Sequence, residues 1–268
     1  MMSAKKGWNI ISRSYQQKTR ISLEDVHYGP ISAGERELKL LGSIRNKDVL
    51  EIGCGGGQNA IVLAKWGARS VGLDISENQI LYAKKLARKE RAKVQFHVGD
   101  MEDLSIFDPE SFDVVLSSFA IEYADDILAV FLEVHRVLRK QGVFVFAMVH
   151  PIVGRGRPMR VGKRKVWAMS NYFDRRKRLW KWKVEDGVAE FSGRQITIQD
   201  YFDLLAKAGL VVERLIEPKP YPIKEMSETE LADIPYLEAG FVRDYGLWRR
   251  VPYTIIFKTR KASDGALR

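Results

Sequence analysis

From residue 47 onward, short β-branched runs alternate with stretches whose apolar positions recur every three to four residues. Residues 47–52 predict a strand that stops at Gly53, and residues 58–66 predict a helix closed by Gly67. A second strand over 70–73 precedes a helix opened by Ser76, where Gln79 completes a capping box. Residues 94–98 and 112–117 predict two more strands. An amphipathic helix over 125–140 carries Ile127, Phe131, Val134 and Leu138 on one stripe. The unbroken apolar run 143–149 has the pattern of a strand buried on both faces. Strands alternating with helices predict crossover units, hence an α/β fold with a doubly wound parallel sheet. Upstream, a helix is predicted over 8–15, and a second is opened by Ser32 with Glu35 as its capping box. Downstream, Thr197 caps a helix to about Ala208, Gly209 ends it, and residues 210–216 and 252–259 predict the closing strands. Pro218, Pro220 and Pro222 mark a loop, followed by a short helix over 227–232.

Residues 151–183 break this pattern. They carry twelve Lys/Arg against one acid, Asp174, with Trp167, Tyr172, Phe173, Trp180 and Trp182 interleaved. The stretch reads as an insertion rather than a domain. Its composition suits a nucleic-acid groove, a lid over a small acidic substrate, or a mobile surface loop. The organisation expected is an N-terminal helical cap (1–46), a main domain (47–150 and 191–262) and a basic, aromatic insertion or lid (151–190).

The 268 residues carry a net charge of +10, which favours an acidic small molecule, a nucleic acid or an anionic membrane face without choosing among them. The single cysteine, Cys54, excludes an intramolecular disulfide and a Cys-rich zinc site, and no metal is expected. The longest apolar run is too short to span a membrane, and residues 1–13 lack an apolar secretory core, so a cytoplasmic protein is expected.

The informative stretch is Val49-Leu50-Glu51-Ile52-Gly53-Cys54-Gly55-Gly56-Gly57-Gln58-Asn59, a strand, a glycine-rich turn and a helix start. Such a turn lets a ligand approach bare backbone and turns helix N–H groups toward it. Asp74 ends the second predicted strand, where a carboxylate can accept from ribose hydroxyls, and Asp100 ends the third, placed for an adenine amino group. The dinucleotide fingerprint requires a third glycine or alanine where this chain has Gln58. Glu51, just before the turn, would repel a pyrophosphate and attract an ammonium group.

Together, Glu51-Ile52-Gly53-Cys54-Gly55-Gly56-Gly57, Gly72-Leu73-Asp74-Ile75-Ser76, Gly99-Asp100, Phe112-Asp113-Val114-Val115 and Arg136-Val137-Leu138-Arg139-Lys140-Gln141-Gly142 resemble the ordered motifs of class I S-adenosylmethionine-dependent methyltransferases. The likeness is strongest to the small-molecule, ubiquinone/menaquinone-type subgroup. One departure is Lys140-Gln141-Gly142 where the family usually has Pro-Gly-Gly. The resemblance implies a Rossmann-like seven-stranded sheet with an antiparallel last strand, and S-adenosyl-L-methionine as cofactor. It implies that Gly53 and Gly55 underlie the methionine part, with Glu51 near its ammonium group. Asp74 would bind the ribose, Ile75 and Met101 would flank the adenine, and Asp100 would read its amino group. Ser117 and Ser118 would offer backbone carbonyls to the ammonium. The implied activity is methyl transfer to a small molecule by in-line displacement, which asks mainly for positioning and desolvation. If the acceptor must lose a proton, His150 is the first candidate base, Tyr28 and His27 come next, and Tyr15 is weaker. Three other readings stay open: an RNA methyltransferase using the basic segment, a non-catalytic cofactor-binding module, and a nucleotide-dependent oxidoreductase.

Overall fold

The computed structural model describes residues 4–262, apart from 186, 195, 224, 228, 229, 232, 233 and 237–244. Helix α1 (Ala4–Thr19) and the single turn α2 (Glu35–Leu38) precede the alternating unit. That unit runs β1 (Asp48–Ile52), α3 (Gln58–Lys65), β2 (Arg69–Asp74), α4 (Glu77–Lys89), β3 (Val94–Val98), β4 (Phe112–Ser118), a 3-10 turn at Ile121–Tyr123, α5 (Ile127–Val137) and β5 (Leu138–Val149). One turn, α6 (Pro151–Gly154), leads into β6 (Gly156–Val161), β7 (Arg164–Met169), β8 (Arg178–Val184) and β9 (Gly187–Gly193). The chain then returns through α7 (Ile198–Lys207), β10 (Leu210–Ile216), α8 (Tyr245–Trp248) and β11 (Thr254–Lys261).

Seven strands form one sheet in the order β10-β11-β5-β4-β1-β2-β3. Leu50 pairs with Val71 on one side and Val115 on the other, both parallel. The chain winds outward from β1 to β3, then returns to β4 on β1's other side. The crevice between β1 and β4 is therefore the topological switch point, where an α/β sheet opens for a ligand. β11 runs antiparallel to β5 and β10 antiparallel to β11, so the expected seven-stranded sheet with an antiparallel closing strand is present. β5 is buried on both faces, as its unbroken apolar run predicts. Phe144, Phe146 and Met148 join the core under α5 and α7, while Val145 and Ala147 join the core under α3 and the N-terminal segment. Phe146 stacks on Phe257 across the antiparallel edge with ring centroids 4.9 Å apart.

Several expectations differ from the structure. The capping box at Ser32 is not made: the cap of α2 is Gly34 with no side-chain bond, and the Ser32 hydroxyl donates to the Gly29 carbonyl. Glu35 turns inward, accepting from the Tyr28 hydroxyl and from the Leu40 and Leu41 N–H groups. The α5 periodicity overruns, because Leu138 already pairs with Phe112 as the start of β5. The 227–232 helix falls partly on residues outside those described.

The largest difference is in 151–190. The segment folds as two antiparallel hairpins, β6–β7 and β8–β9. In β8 the interleaving of aromatic and basic residues is strand alternation, with side chains pointing to opposite faces. Trp180, Trp182 and Val184 of β8 are partly covered while Lys181 and Lys183 are exposed. Facing them, Ala189 and Phe191 of β9 are fully buried against Ile11 and Trp8 of α1. The approach is close: a Cβ on Gly7 would lie 2.7 Å from Phe191 Cε1. Among the described residues, no helix is long and apolar enough to cross a membrane.

Candidate functional site

At the switch point a cleft of about 170 Å³ opens beyond the ends of β1, β2, β3 and β4. The floor is the turn after β1. Gly53, Gly55 and Gly57 have positive φ (65°, 52° and 77°), the region where only glycine is free of strain. At Gly53 the reason is also packing, since a Cβ would come 2.2 Å from Ala120 Cβ. At Gly55 the space above is open, with nothing nearer than Gln16 Nε2 at 3.9 Å, so bare backbone faces the cleft. Gly56 serves α1 instead, because a Cβ there would strike the Gln16 amide at 2.6 Å.

Asp74 pins this turn to β2. Its Oδ2 accepts from Gly55 N at 2.8 Å and its Oδ1 from Ser76 N at 2.9 Å. Burial raises its carboxyl from 3.8 to about 6, against the pull of those two backbone bonds. Glu51 lies deeper. Its Oε2 caps α3 by accepting from Ala60 N at 3.0 Å, and burial raises it to about 8. At least one helix N–H therefore points at a protein carboxylate rather than out toward a ligand. Asp100 sits at the rim, with Oδ1 accepting from Glu102 N. Leu73, Ile75 and Met101 supply apolar wall between the two aspartates.

Of the sequence candidates, Glu51, Gly53, Gly55, Asp74, Ile75, Asp100 and Met101 all line this one cleft. Ser117 does not. It is fully buried in β4 with an unpartnered hydroxyl, and Ser118 is the serine that reaches the cleft.

The structure brings neither His150 nor Tyr28 to the cleft. His150 is fully buried as the cap of α6. Its Nδ1 accepts from Ile152 N at 3.1 Å, which puts the proton on Nε2 for the 2.8 Å bond to Glu217. With both nitrogens committed, no lone pair is left to take a proton. Tyr28 is fully buried and donates to Glu35 at 2.6 Å, stapling the N-terminal segment to the core. Burial beside that carboxylate holds its hydroxyl well above the usual tyrosine range. Cys54 is buried, with its thiol also raised well above normal, so it is no nucleophile.

His27 is the histidine on the cleft wall. Asn59 Oδ1 accepts from both its backbone N (2.9 Å) and its Nδ1 (3.0 Å). The amide is oriented by its own donation to the His27 carbonyl and Ser118 Oγ. This fixes the proton on Nδ1 and leaves the Nε2 lone pair uncommitted. Burial lowers the imidazole to about 4, so it is neutral at physiological pH.

The sequence pointed to an N-terminal helical cap and to Tyr15, but not to the other residues of the roof. Trp8, Tyr15 and Gln16 of α1 cover the cleft with Tyr123, Tyr236 and Phe119. Gln16 is held by Gln58 (2.6 Å) and Gln79 (2.8 Å), which explains the glutamine at the third glycine position. Asn9 accepts from Ser76 Oγ and the Asn78 backbone, clamping α1 to the start of α4. The only available signal was the polar stripe of α1, which nothing in the sequence ties to the glycine turn. Among the described residues, no lysine or arginine lines the cleft.

Residues 50–146 match the family model for a methyltransferase domain. An uncharacterized methyltransferase of Bacillus subtilis, YbaJ, is 36% identical over 110 residues, covering 41% of this chain and 43% of that protein. A ubiquinone biosynthesis O-methyltransferase of Pelagibacter ubique is 34% identical over 107 residues, covering 40% of this chain and 44% of that one. The chain thus spans less than half the length of these curated relatives. A solved protein of Listeria monocytogenes, assigned as an S-adenosylmethionine dependent methyltransferase, superposes with a TM-score of 0.65 at 26% identity, covering 85% of this chain and 98% of its own.

Proposed function

We propose that this chain, whose central unit belongs to the class I S-adenosylmethionine-dependent methyltransferases, transfers a methyl group to a small-molecule acceptor. The observation that carries the reading is convergence. A bare glycine floor, the buried Asp74 and the rim Asp100 meet in one cleft at the switch point, with apolar wall between them. This fits an adenosine-bearing, positively charged cofactor. Asp74 would hold the ribose hydroxyls, Asp100 the adenine amino group, and Ile75 and Met101 the faces of the base. Glu51, raised by burial to about 8 and so largely protonated in the ligand-free fold, would supply negative charge beneath the glycine turn once the cofactor's cation favours its ionised form, on the side of the ammonium group.

Bound S-adenosylmethionine supplies an electrophilic methyl on a sulfonium, ready for in-line displacement. The chain's own task is to orient the acceptor, exclude water and take its proton where it has one. Trp8, Tyr15, Tyr123 and Tyr236 form the water-excluding wall; Trp8 packs edge-on to Tyr15 and Tyr123 at 5.0 and 5.3 Å. His27 Nε2 would receive the acceptor's proton, with Asn59 holding the tautomer.

That no described lysine or arginine lines the cleft favours an uncharged or cationic acceptor over an acidic one. The RNA reading loses its support because Trp180 and Trp182 pack toward α1 rather than standing free on the basic face. The β8–β9 hairpin would act as a fixed cover over the acceptor side. A cytoplasmic site of action is also proposed, and the single unpaired cysteine is compatible with it.

The test is turnover. Purified protein incubated with S-adenosylmethionine and an acceptor panel should release S-adenosylhomocysteine. Calorimetry should show heat with both compounds on ligand-free protein. No heat with either removes the assignment; heat without turnover on any acceptor leaves a binding module.

A further inference from the structure

A second cavity, of about 270 Å³, lies beneath the β8–β9 hairpin and over the C-terminal end of β5. Tyr123 forms part of its wall and also part of the wall of the cofactor cleft, so the two spaces are neighbours across one ring. Trp180, Trp182 and Tyr201 line it further. Trp180 and Tyr123 lie 5.7 Å apart, centroid to centroid.

One carboxyl of this cavity has an oxygen with no hydrogen-bond partner among the described residues. Glu122 lines it and receives backbone hydrogen bonds from its own residue and from Val149. Its Oε2 is shielded from water and accepts none. Burial raises the carboxyl from 4.5 to about 7. A buried carboxyl is costly to ionise, and a cation seated in the adjoining cavity would offset that cost. Arg178, the cationic side chain on the described wall, donates to the Gly154 carbonyl. A carboxylate set among indole and phenol rings is the arrangement that recognises an organic cation, by charge on one side and ring faces on the others.

We propose that this cavity seats an ammonium group, primary to quaternary, borne by the methyl acceptor, with Glu122 as its counter-ion. The inference rests on the methyltransferase reading only for what occupies the adjoining cleft. It narrows the substrate class to amines and alkylammonium compounds, in accord with the absence of lysine and arginine from the described lining of the cofactor cleft.

Choline and 3,3-dimethylbutan-1-ol are the same shape, differ in charge, and each carries nine equivalent methyl protons. Ligand-observed NMR titration of the full chain should give choline at least about tenfold tighter binding than the alcohol. E122Q should remove that preference while S-adenosylhomocysteine affinity, measured on the same samples, stays within about twofold. W180L should shrink the preference at least about threefold, and it carries the test if E122Q does not fold. Equal binding of the two probes, no binding of choline, or an E122Q preference equal to wild type overturns the proposal. Failure of S-adenosylhomocysteine to bind the wild type sinks the methyltransferase reading instead, so the two failures are distinguishable.

Discussion

Replacing Asp74 by asparagine separates a residue kept for a ligand from one kept for the fold. The carboxylate accepts two backbone N–H groups, from Gly55 and Ser76, at 2.8 and 2.9 Å. An amide can accept only one of them, and its NH₂ then faces the other donor. Beyond the loss of charge, that leaves a buried backbone donor without a partner, about 1–3 kcal/mol. Against this, burial raises the carboxyl from 3.8 to about 6. Above pH 6 the ionised form therefore costs the ligand-free fold about 3 kcal/mol, which the neutral amide does not incur. The two effects nearly cancel, so D74N should shift Tm by no more than about 5 °C at pH 7.5. Ligand binding has no such compensation. Losing one charged acceptor to a ribose hydroxyl costs about 1.5–3 kcal/mol, or roughly 10- to 150-fold in Kd for S-adenosylhomocysteine. Calorimetry and differential scanning measurements on one sample read both. An unchanged Kd, or a large fall in Tm with affinity retained, would refute the reasoning.

The other predictions follow the same logic. Glu51, Asp74 and Glu122 all have carboxyls raised by burial, to about 8, 6 and 7. The ligand-free fold then holds protons that the unfolded chain releases near pH 4, so its stability should fall as pH rises from about 5 to 8. E51Q should flatten that slope, and a Tm rising over this range contradicts the assignment. A cationic ligand favours the ionised carboxylates, so S-adenosylmethionine affinity should rise with pH over about 6–8, more steeply than in E51Q; a flat titration would exclude proton release at this site. H27A should lower kcat at least about tenfold with a proton-bearing acceptor while cofactor affinity holds, and N59A should move kcat the same way with less effect. Wild-type turnover in H27A removes the base. H150A should cost about 1–2 kcal/mol of stability through the lost cap of α6 and leave kcat/KM intact, and a selective loss of turnover would restore its catalytic role. F191A should destabilise the packing of α1 on the hairpin by about 3–5 kcal/mol; a smaller loss on thermal unfolding means the hairpin is not structurally coupled to α1.

The central sheet was legible because its signals are local. The run 143–149 is apolar without alternation because β5 is covered on both faces, and glycines stand at 53, 55 and 57 because the backbone there has positive φ. Asp74 and Asp100 follow strands, and in a parallel sheet successive strand ends point to the same edge. Seven of the eight proposed cofactor contacts therefore reach one cleft, and the eighth misses by one residue because alternation turns Ser117 into the core and leaves Ser118 facing out.

What depends on distant contacts was decided by the tertiary structure. His150 follows β5 as an acid–base residue of this sheet edge would, yet the chain after it folds back as α6 and Glu217 arrives from 67 residues away to take its second nitrogen. His27 and Tyr28 are adjacent in sequence, but only the pairing with Asn59 against that with Glu35 separates a wall residue from a staple. The basic, aromatic segment has the composition of a nucleic-acid groove until two strands pair and send lysines outward and tryptophans toward α1. Local sequence fixes dihedral angles and hydrophobic period, and so sets strands, turns and the edge where a nucleoside fits. Whether a polar atom is free to do chemistry depends on which remote group satisfies it, and only the assembled chain brings that group near.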